Sequence, residues 1–231
     1  MIKKSIYLLF ISIAVLSSAY AQDIDKLVSA VRNKLEKVKD YEASGNMKTN
    51  VAFLKLPVTK IKLYYKNPDK IKLKNEKGFA FIPKGSMNIN AGSLFNNSRY
   101  TVIDAGTDKI GTMNVRVAKL LPEDDNSDVV LTTLYIDPLN LLIMKSKTTT
   151  RESGTYELGM KYGKYAEFGL PDMISFSFNT KDYKLPKGIT FDFDDGKTNT
   201  KPKTQKPKKG EVQISFSKYE INKGLSEEVF R

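Results

Sequence analysis

The sequence predicts a mainly β (α+β) protein, with about ten or eleven antiparallel strands following one long N-terminal helix. Three observations carry this. Apolar and polar residues alternate with period two through most of the chain after residue 46. The stretch 24–38 has helical spacing instead. Short motifs rich in Asn, Asp, Pro and Gly separate the alternating runs, as turns do.

The first residues have the layout of a secretory signal peptide. Lys3 and Lys4 precede an apolar run at 6–16 broken only by Ser12; Ser17 and Ser18 follow, and Ala19-Tyr20-Ala21 supplies the small-x-small pattern. The apolar run is shorter than the roughly 20 residues a bilayer span needs. The expectation is export with cleavage after Ala21, leaving a single domain over 22–231 outside the cytoplasm. No cysteine follows the cleavage point, so the product is expected to be free in solution rather than lipid-anchored.

The helix comes next. Ile24, Leu27, Val28, Val31, Leu35 and Val38 are spaced by threes and fours, which puts them on one face. Asp23 and Asp25 at its start and Lys37 and Lys39 at its end suit the helix dipole, and the helix is predicted to stop near Asp40. Strands follow with Met47, Thr49, Val51 and Phe53 on one face, then with Thr59, Ile61, Leu63 and Tyr65 against lysines. Beyond the Asn67-Pro68-Asp69 turn, Ile71 and Leu73 alternate with Lys72 and Lys74, and a short strand at 79–82 comes after a second turn at 75–78. The Asn-, Gly- and Ser-rich stretch 83–98 breaks the rhythm. Strands resume at 100–104, 113–117, 129–136, 141–150, 154–165, 173–179 and 189–193, and a last one alternates through Val212, Ile214 and Phe216. The segment 197–210, with six lysines and two prolines, is expected to be a flexible loop.

Composition narrows the chemistry. The 231 residues include no cysteine and no histidine. The commonest general base, the commonest zinc ligand and the usual partner of a nucleophilic serine are therefore missing. There is no phosphate-binding glycine loop and no nucleophile elbow. The acidic groups at 123–125 and at Asp192, Asp194 and Asp195 lack the spacing of a calcium loop. The reading is a non-enzyme without metal or cofactor. Removing residues 1–21, which carry two lysines and no other charge, lowers the net charge from +12 to +10. Export argues against nucleic acid as the partner of so basic a chain. That leaves plain solubility of a lysine-rich surface, or contact with an anionic membrane surface (phospholipid headgroups or lipopolysaccharide) or an acidic protein face. Lys201, Lys203, Lys206, Lys208 and Lys209 are the candidate contacts.

Several short segments, in their order, resemble one family. Val38-Lys39-Asp40-Tyr41 ends the helix before a strand beginning near Ala43. Tyr64-Tyr65-Lys66-Asn67-Pro68-Asp69-Lys70-Ile71 spans the next hairpin. Leu134-Tyr135-Ile136-Asp137-Pro138 leads into a strand ending at Arg151, with Gly154 after it. Tyr219 and Asn222 precede Leu225-Ser226-Glu227-Glu228-Val229-Phe230. The chain resembles the periplasmic outer-membrane lipoprotein-sorting proteins, the LolA-like group, in the form found in Bacteroidetes-type bacteria.

The resemblance implies an incomplete, strongly curved antiparallel β barrel with the helix as lid. It implies a monomeric periplasmic carrier of lipoprotein acyl chains or other lipids, loaded by an inner-membrane transporter and emptied to an outer-membrane receptor. The rival reading is a non-carrier envelope interaction or stress-sensing module on the same fold. For a carrier, the cavity lining is expected from Val51, Phe53, Ile61, Leu63, Tyr65, Phe79, Phe81, Val115, Val117, Ile174, Phe176, Phe191, Ile214 and Phe216, under the lid residues Ile24 to Val38. Two features depart from the family pattern. The stretch 83–98 is shorter and more polar than the usual helical lid insert. Lys60 and Lys62 stand in the region of the usual lid-bonding arginine, and the barrel has no arginine before Arg99. No gating residue is carried over.

Overall fold

The computed structural model describes residues 24–51, 54–55, 57–75, 94–95, 99–179 and 209–231. Helix α1 occupies 24–36 and is followed, in chain order, by strands β1 (Asp40–Val51), β2 (Leu54–Lys55), β3 (Thr59–Lys66), β4 (Lys70–Asn75), β5 (Tyr100–Ile110), β6 (Met113–Pro122), β7 (Val129–Asp137), β8 (Leu142–Thr150), β9 (Gly154–Lys161), β10 (Met173–Asn179) and β11 (Lys209–Ile221). The 3-10 turns Ala166–Phe168 and Glu227–Phe230, with a short 3-10 piece at 94–95, are the other described elements. The predicted strands at 79–82 and 189–193 lie outside the described residues.

All the strands belong to one antiparallel sheet in the order β4-β3-β1-β11-β10-β9-β8-β7-β6-β5, with β2 paired to β1 off this path. β5 through β9 form a simple meander. β1 enters between β3 and β11, so the two ends of the domain meet in the sheet. The sheet does not close: β4 and β5 are the ends of the described ladder. One face is concave and apolar, and α1 lies across it. The result is an incomplete, curved barrel under a helical lid, the architecture predicted.

The helix packs as its spacing requires. Ile24, Val28, Val31, Leu35 and Val38 are buried in the central cluster, and Leu27 is partly buried against it. Each such side chain contributes about 1.5–3 kcal/mol when withdrawn from water. Helical residues end at 36, a little short of the predicted stop, and β1 starts directly at Asp40. Small residues mark the inner face of the first half of β1. Its inward positions there are Tyr41, Ala43 and Gly45, and a Cβ on Gly45 would lie 2.3 Å from the Ser215 carbonyl oxygen. Two small residues let β1 approach β11 closely at the bulge between Ser44 and Gly45.

β5 is longer than its predicted 100–104. It runs to Ile110 and turns into β6 through Gly111, whose φ of 61° suits glycine. Its second half is almost wholly exposed, which is why no apolar alternation marks it. β9 is shorter than predicted, ending at Lys161 before the 3-10 turn Ala166–Phe168.

Candidate functional site

The antiparallel register decides which side chains share the concave face, because directly paired residues point the same way. One rung runs Leu73, Leu63, Ala43 and Tyr219 across β4, β3, β1 and β11. Another runs Met47, Ile214, Ile174 and Met160 across β1, β11, β10 and β9. A third carries Val212, Phe176, Leu158, Ser146, Leu134 and Ala118 to the far side of the barrel. These rows form one apolar cluster with the inward face of α1.

Seven of the expected lining residues belong to this cluster: Ile61, Leu63, Tyr65, Ile174, Phe176, Ile214 and Phe216. Val115 and Val117 are buried but stand apart from it. Val117 pairs with Tyr135, on the face opposite the Ala118–Leu134 rung, so it looks away from the interior. β6 buries residues of both parities, and period two alone does not identify its inner face. Val51 ends β1, and its side chain, like Phe53, Phe79, Phe81 and Phe191, lies outside the described residues. The same holds for Ala21, for Lys201, Lys203, Lys206 and Lys208, and for the side chain of Lys209 at the start of β11.

The interior also holds residues not singled out from sequence. Leu134, Ile136 and Leu158 are fully buried at its centre, and Tyr156 stacks on Phe176 with ring centroids 5.3 Å apart. Tyr156, Leu158 and Met160 alternate through β9, so the signal was present in the sequence. At one end, Tyr41, Tyr65, Tyr165, Phe216 and Tyr219 form an aromatic group with Tyr219 as its hub, 4.9 Å from Tyr165 and 5.4 Å from Tyr41. The buried Tyr219 hydroxyl donates to the Pro171 carbonyl at 2.7 Å. Burial pushes the phenols of Tyr219 and Tyr41 well above the ordinary range.

Polar groups interrupt the apolar wall on one side. Thr132 and Thr148 share a hydrogen bond of 3.2 Å, and the buried Ser146 hydroxyl has no hydrogen-bond partner among the described residues. Nearer the β5 rim, Arg116 pairs with Asp104 at 2.8 Å. Arg116 shares its rung with Ile136, so this arginine belongs to the inner face.

The lid is tied to the sheet and its loops at several described points. At its C-terminal end Lys34 donates to the Asn140 carbonyl at 2.7 Å, and Asn222 bonds to the backbone of Lys37, Lys39 and Asp40. Leu35 fits over Gly169, where a Cβ would lie 2.7 Å from its methyl group. Beside the N-terminal half of the helix lies a cleft of about 600 Å³, lined by Asp25, Ser29 and Arg32 of α1 and by Phe95, Arg99, Tyr100, Val102 and Glu123. Among the described residues, no group of three His, Cys, Asp or Glu side chains is arranged to hold a metal ion, and no helix is long and apolar enough to cross a membrane.

No protein-family profile matches the chain, and no curated protein sequence does. Solved structures do match in shape. A domain from Vibrio parahaemolyticus described as an outer membrane lipoprotein-sorting protein superposes with a TM-score of 0.57 at 14% identity, covering 89% of this chain and 94% of its own. A LolA superfamily protein from Nitrosomonas europaea superposes at 0.51 and 9% identity, covering 88% and 96%. The chain has a LolA-like fold. A DUF1329 family protein from Desulfovibrio piger shares it at 0.55 and 9% identity, covering 90% and 97%. At these identities the likeness is one of fold. Within the LolA-like fold, the described lid of this chain is α1.

Proposed function

We propose that this chain is an exported periplasmic carrier. It takes up acyl chains of lipoproteins, or of other lipids, between α1 and the concave face of the sheet and moves them towards the outer membrane. The observation that carries the reading is the continuous apolar cluster shared by the helix and the sheet, in a barrel open between β4 and β5. The LolA-like fold supports it.

The physical requirement is an exchange of like for like. Ile24, Val28 and Val31 already occupy the apolar interior, so an acyl chain that displaces them buries as it exposes. Each methylene transferred from water contributes roughly 0.8 kcal/mol, which holds a diacyl cargo without making release impossible. The bonds from Lys34 and Asn222 support a hinge at the C-terminal end of α1, with the N-terminal half lifting beside the polar cleft. The lining is the inner-face set of Ile61, Leu63, Tyr65, Ile174, Phe176, Ile214 and Phe216. Val51, Phe53, Phe79, Phe81 and Phe191 are proposed to extend it.

In this reading the signal peptide is removed after Ala21, the carrier is a monomer without catalytic activity, and its exchange partners are an inner-membrane transporter and an outer-membrane receptor. Lys201, Lys203, Lys206, Lys208 and Lys209 touch anionic membrane during transfer. A second reading, a non-carrier envelope module with a filled interior, draws on the complete burial of Leu134, Ile136 and Leu158.

One experiment separates the two. The protein is produced with its own leader, purified from the envelope fraction, extracted with organic solvent and analysed by mass spectrometry. Recovery of acyl lipids in near-stoichiometric amount, reduced by a Val31→Glu change in the lid, is the expected result. Lipid-free protein that also fails to load a fluorescent acyl probe overturns the carrier reading.

A further inference from the structure

The inward side of β8 is built of hydroxyls. Beyond Ile143 its inner positions are Ser146, Thr148 and Thr150, all buried. The register fixes their direction. Ser146 lies on the rung between Leu134 and Leu158, and Thr148 on the rung between Thr132 and Tyr156. Leu134, Leu158 and Tyr156 belong to the central apolar cluster, so this row of hydroxyls faces the interior.

Two of the three are accounted for within the fold. Thr148 shares its hydrogen bond with Thr132 at 3.2 Å. Thr150 donates to the Gly154 carbonyl at 3.1 Å and accepts the N–H of Ser153 at 3.0 Å, which closes the β8–β9 hairpin. Ser146 differs from both. Its exposure is 0%, and its hydroxyl has no hydrogen-bond partner among the described residues. The side chains beside it on the rung, Leu134 and Leu158, are hydrocarbon. A buried hydroxyl left without a partner costs stability, and alanine at this position would avoid that cost.

We infer that Ser146 is a polar contact for the cargo, and that the cargo is an acyl chain bearing a hydroxyl along its length. The inference rests on the carrier reading, because a ligand reaches this buried wall only when lid residues leave the apolar cluster. A plain methylene chain laid on the wall gives Ser146 nothing to bond. A hydroxyl on the chain can donate to Ser146 or accept from it, since each group does both. Among apolar neighbours an unmade bond is costly, so such a contact discriminates between chains. The headgroup end of a lipid matches the position less well. The inward Arg116–Asp104 pair lies towards the β5 rim, and β6 and β5 are two and three strands from β8. At about 4.8 Å per strand, a polar end held beside that pair stands roughly 10–14 Å from Ser146. What reaches Ser146 is then a group part-way along the chain.

The test uses the full purified chain, stripped of lipid, and displacement of a fluorescent acyl probe. The competitors are octadecanoate and octadecanoates hydroxylated near the carboxyl end, at mid-chain or near the methyl end. At least one hydroxylated chain is expected to bind about fivefold more tightly than octadecanoate, the size of one net hydrogen bond. Ser146→Ala is expected to reduce that preference to about twofold or less without lowering the melting temperature, because it removes a buried hydroxyl that bonds nothing in the fold. Thr149→Ala deletes a hydroxyl from the outward side of the same strand and is expected to keep the preference. Equal displacement by every chain, a preference that survives Ser146→Ala, or a marked loss of stability in Ser146→Ala overturns the inference and leaves the carrier reading standing. A probe that never binds is a different failure, which removes the carrier reading and this inference with it.

Discussion

Asn222 joins the end of the lid helix to the start of β1 at Asp40. Its Oδ1 accepts the backbone N–H of Lys39 at 2.7 Å and of Asp40 at 3.4 Å, while its Nδ2 donates to the Lys37 carbonyl at 3.1 Å. Its own N–H donates to the Asp40 carbonyl, and the Asp40 carboxylate accepts the N–H groups of Lys223 and Gly224. Asn222 does this at a φ of 55°, which asparagine tolerates better than most residues. Asn222→Gly keeps the backbone and deletes only the side-chain bonds. It is expected to cost about 1–3 kcal/mol in urea unfolding and to speed amide exchange over 24–38. Asn222→Leu adds backbone strain and is expected to cost more. Wild-type stability in both variants would refute the tether.

Gly45 tests the close approach of β1 to β11. An alanine methyl there would meet the Ser215 carbonyl oxygen at 2.3 Å and Phe216 Cα at 3.1 Å, both backbone atoms that a rotamer change does not move. The strands must part, or the bulge must shift. Gly45→Ala is therefore expected to destabilise by about 1–3 kcal/mol, as overpacking does. Gly111→Ala is the contrast, because open space surrounds it and only its φ of 61° resists a side chain. Thermal melts of the two variants compare a packing cost with a conformational one. A Gly45→Ala melt matching wild type would remove the steric argument.

What was legible in the sequence was local. α1 declared itself through six apolar residues on one helical face, and β10 through Ile174, Phe176 and Phe178 against serines. Long-range pairing left no local trace. Nothing near Met47 or Ile214 says that β1 pairs with β11, although their rung crosses the centre of the interior. Val115 and Val117 went to the wrong face because β6 buries both parities. The register shift with β5 lies on the β5 side, where three steps from Asp104 to Thr107 oppose two from Ala118 to Arg116, so it is β5 whose alternation breaks. The inward pair of Arg116 and Asp104 was hidden because the valines of that stretch, Val115 and Val117, take the outer face and the charged residue takes the inner one.

Glu227 ties the last 3-10 turn to the β3–β4 hairpin. It pairs with Lys66 at 2.9 Å and with Lys70, while Lys66 also donates to the Leu225 carbonyl. Hydrogen bonds from Lys70 and Lys66 pull its carboxyl down to about 2. A depressed carboxylate contributes stability that is present above its unfolded value and lost as the pH falls through the folded one. Attachment of 225–231 is thus expected to hold at pH 5 and to loosen between about 4.5 and 2. Hydrogen exchange over those residues reads this directly. Glu227→Gln should loosen the segment at neutral pH and flatten its pH response over that window, and 1 M salt should weaken the wild-type attachment. A wild-type segment equally protected at pH 5 and pH 2.5 would rule this out.

The aromatic end of the barrel should respond at the opposite extreme of pH. Burial raises the phenols of Tyr41, Tyr162 and Tyr219 above their ordinary value near 10, and the Tyr162 hydroxyl donates to the Ile143 carbonyl at 2.9 Å. A raised group stabilises the fold fully below its unfolded value and loses that contribution as the pH rises above it. These three phenols are therefore expected to stay protonated while the fold holds, and stability should fall above about pH 10. The half-buried tyrosines, such as Tyr100 and Tyr135, should ionise gradually in the 295 nm absorbance, with a later cooperative step coinciding with loss of far-ultraviolet dichroism. Tyr219→Phe keeps the ring against Tyr165 and Tyr41 but gives up the bond to Pro171. It should shrink the late step by one phenol and leave the Pro171 carbonyl without its donor, at a cost of about 1–2 kcal/mol at neutral pH. Smooth ionisation of every tyrosine before any loss of dichroism would show that this end of the barrel admits water, and the packed aromatic hub would have to be abandoned.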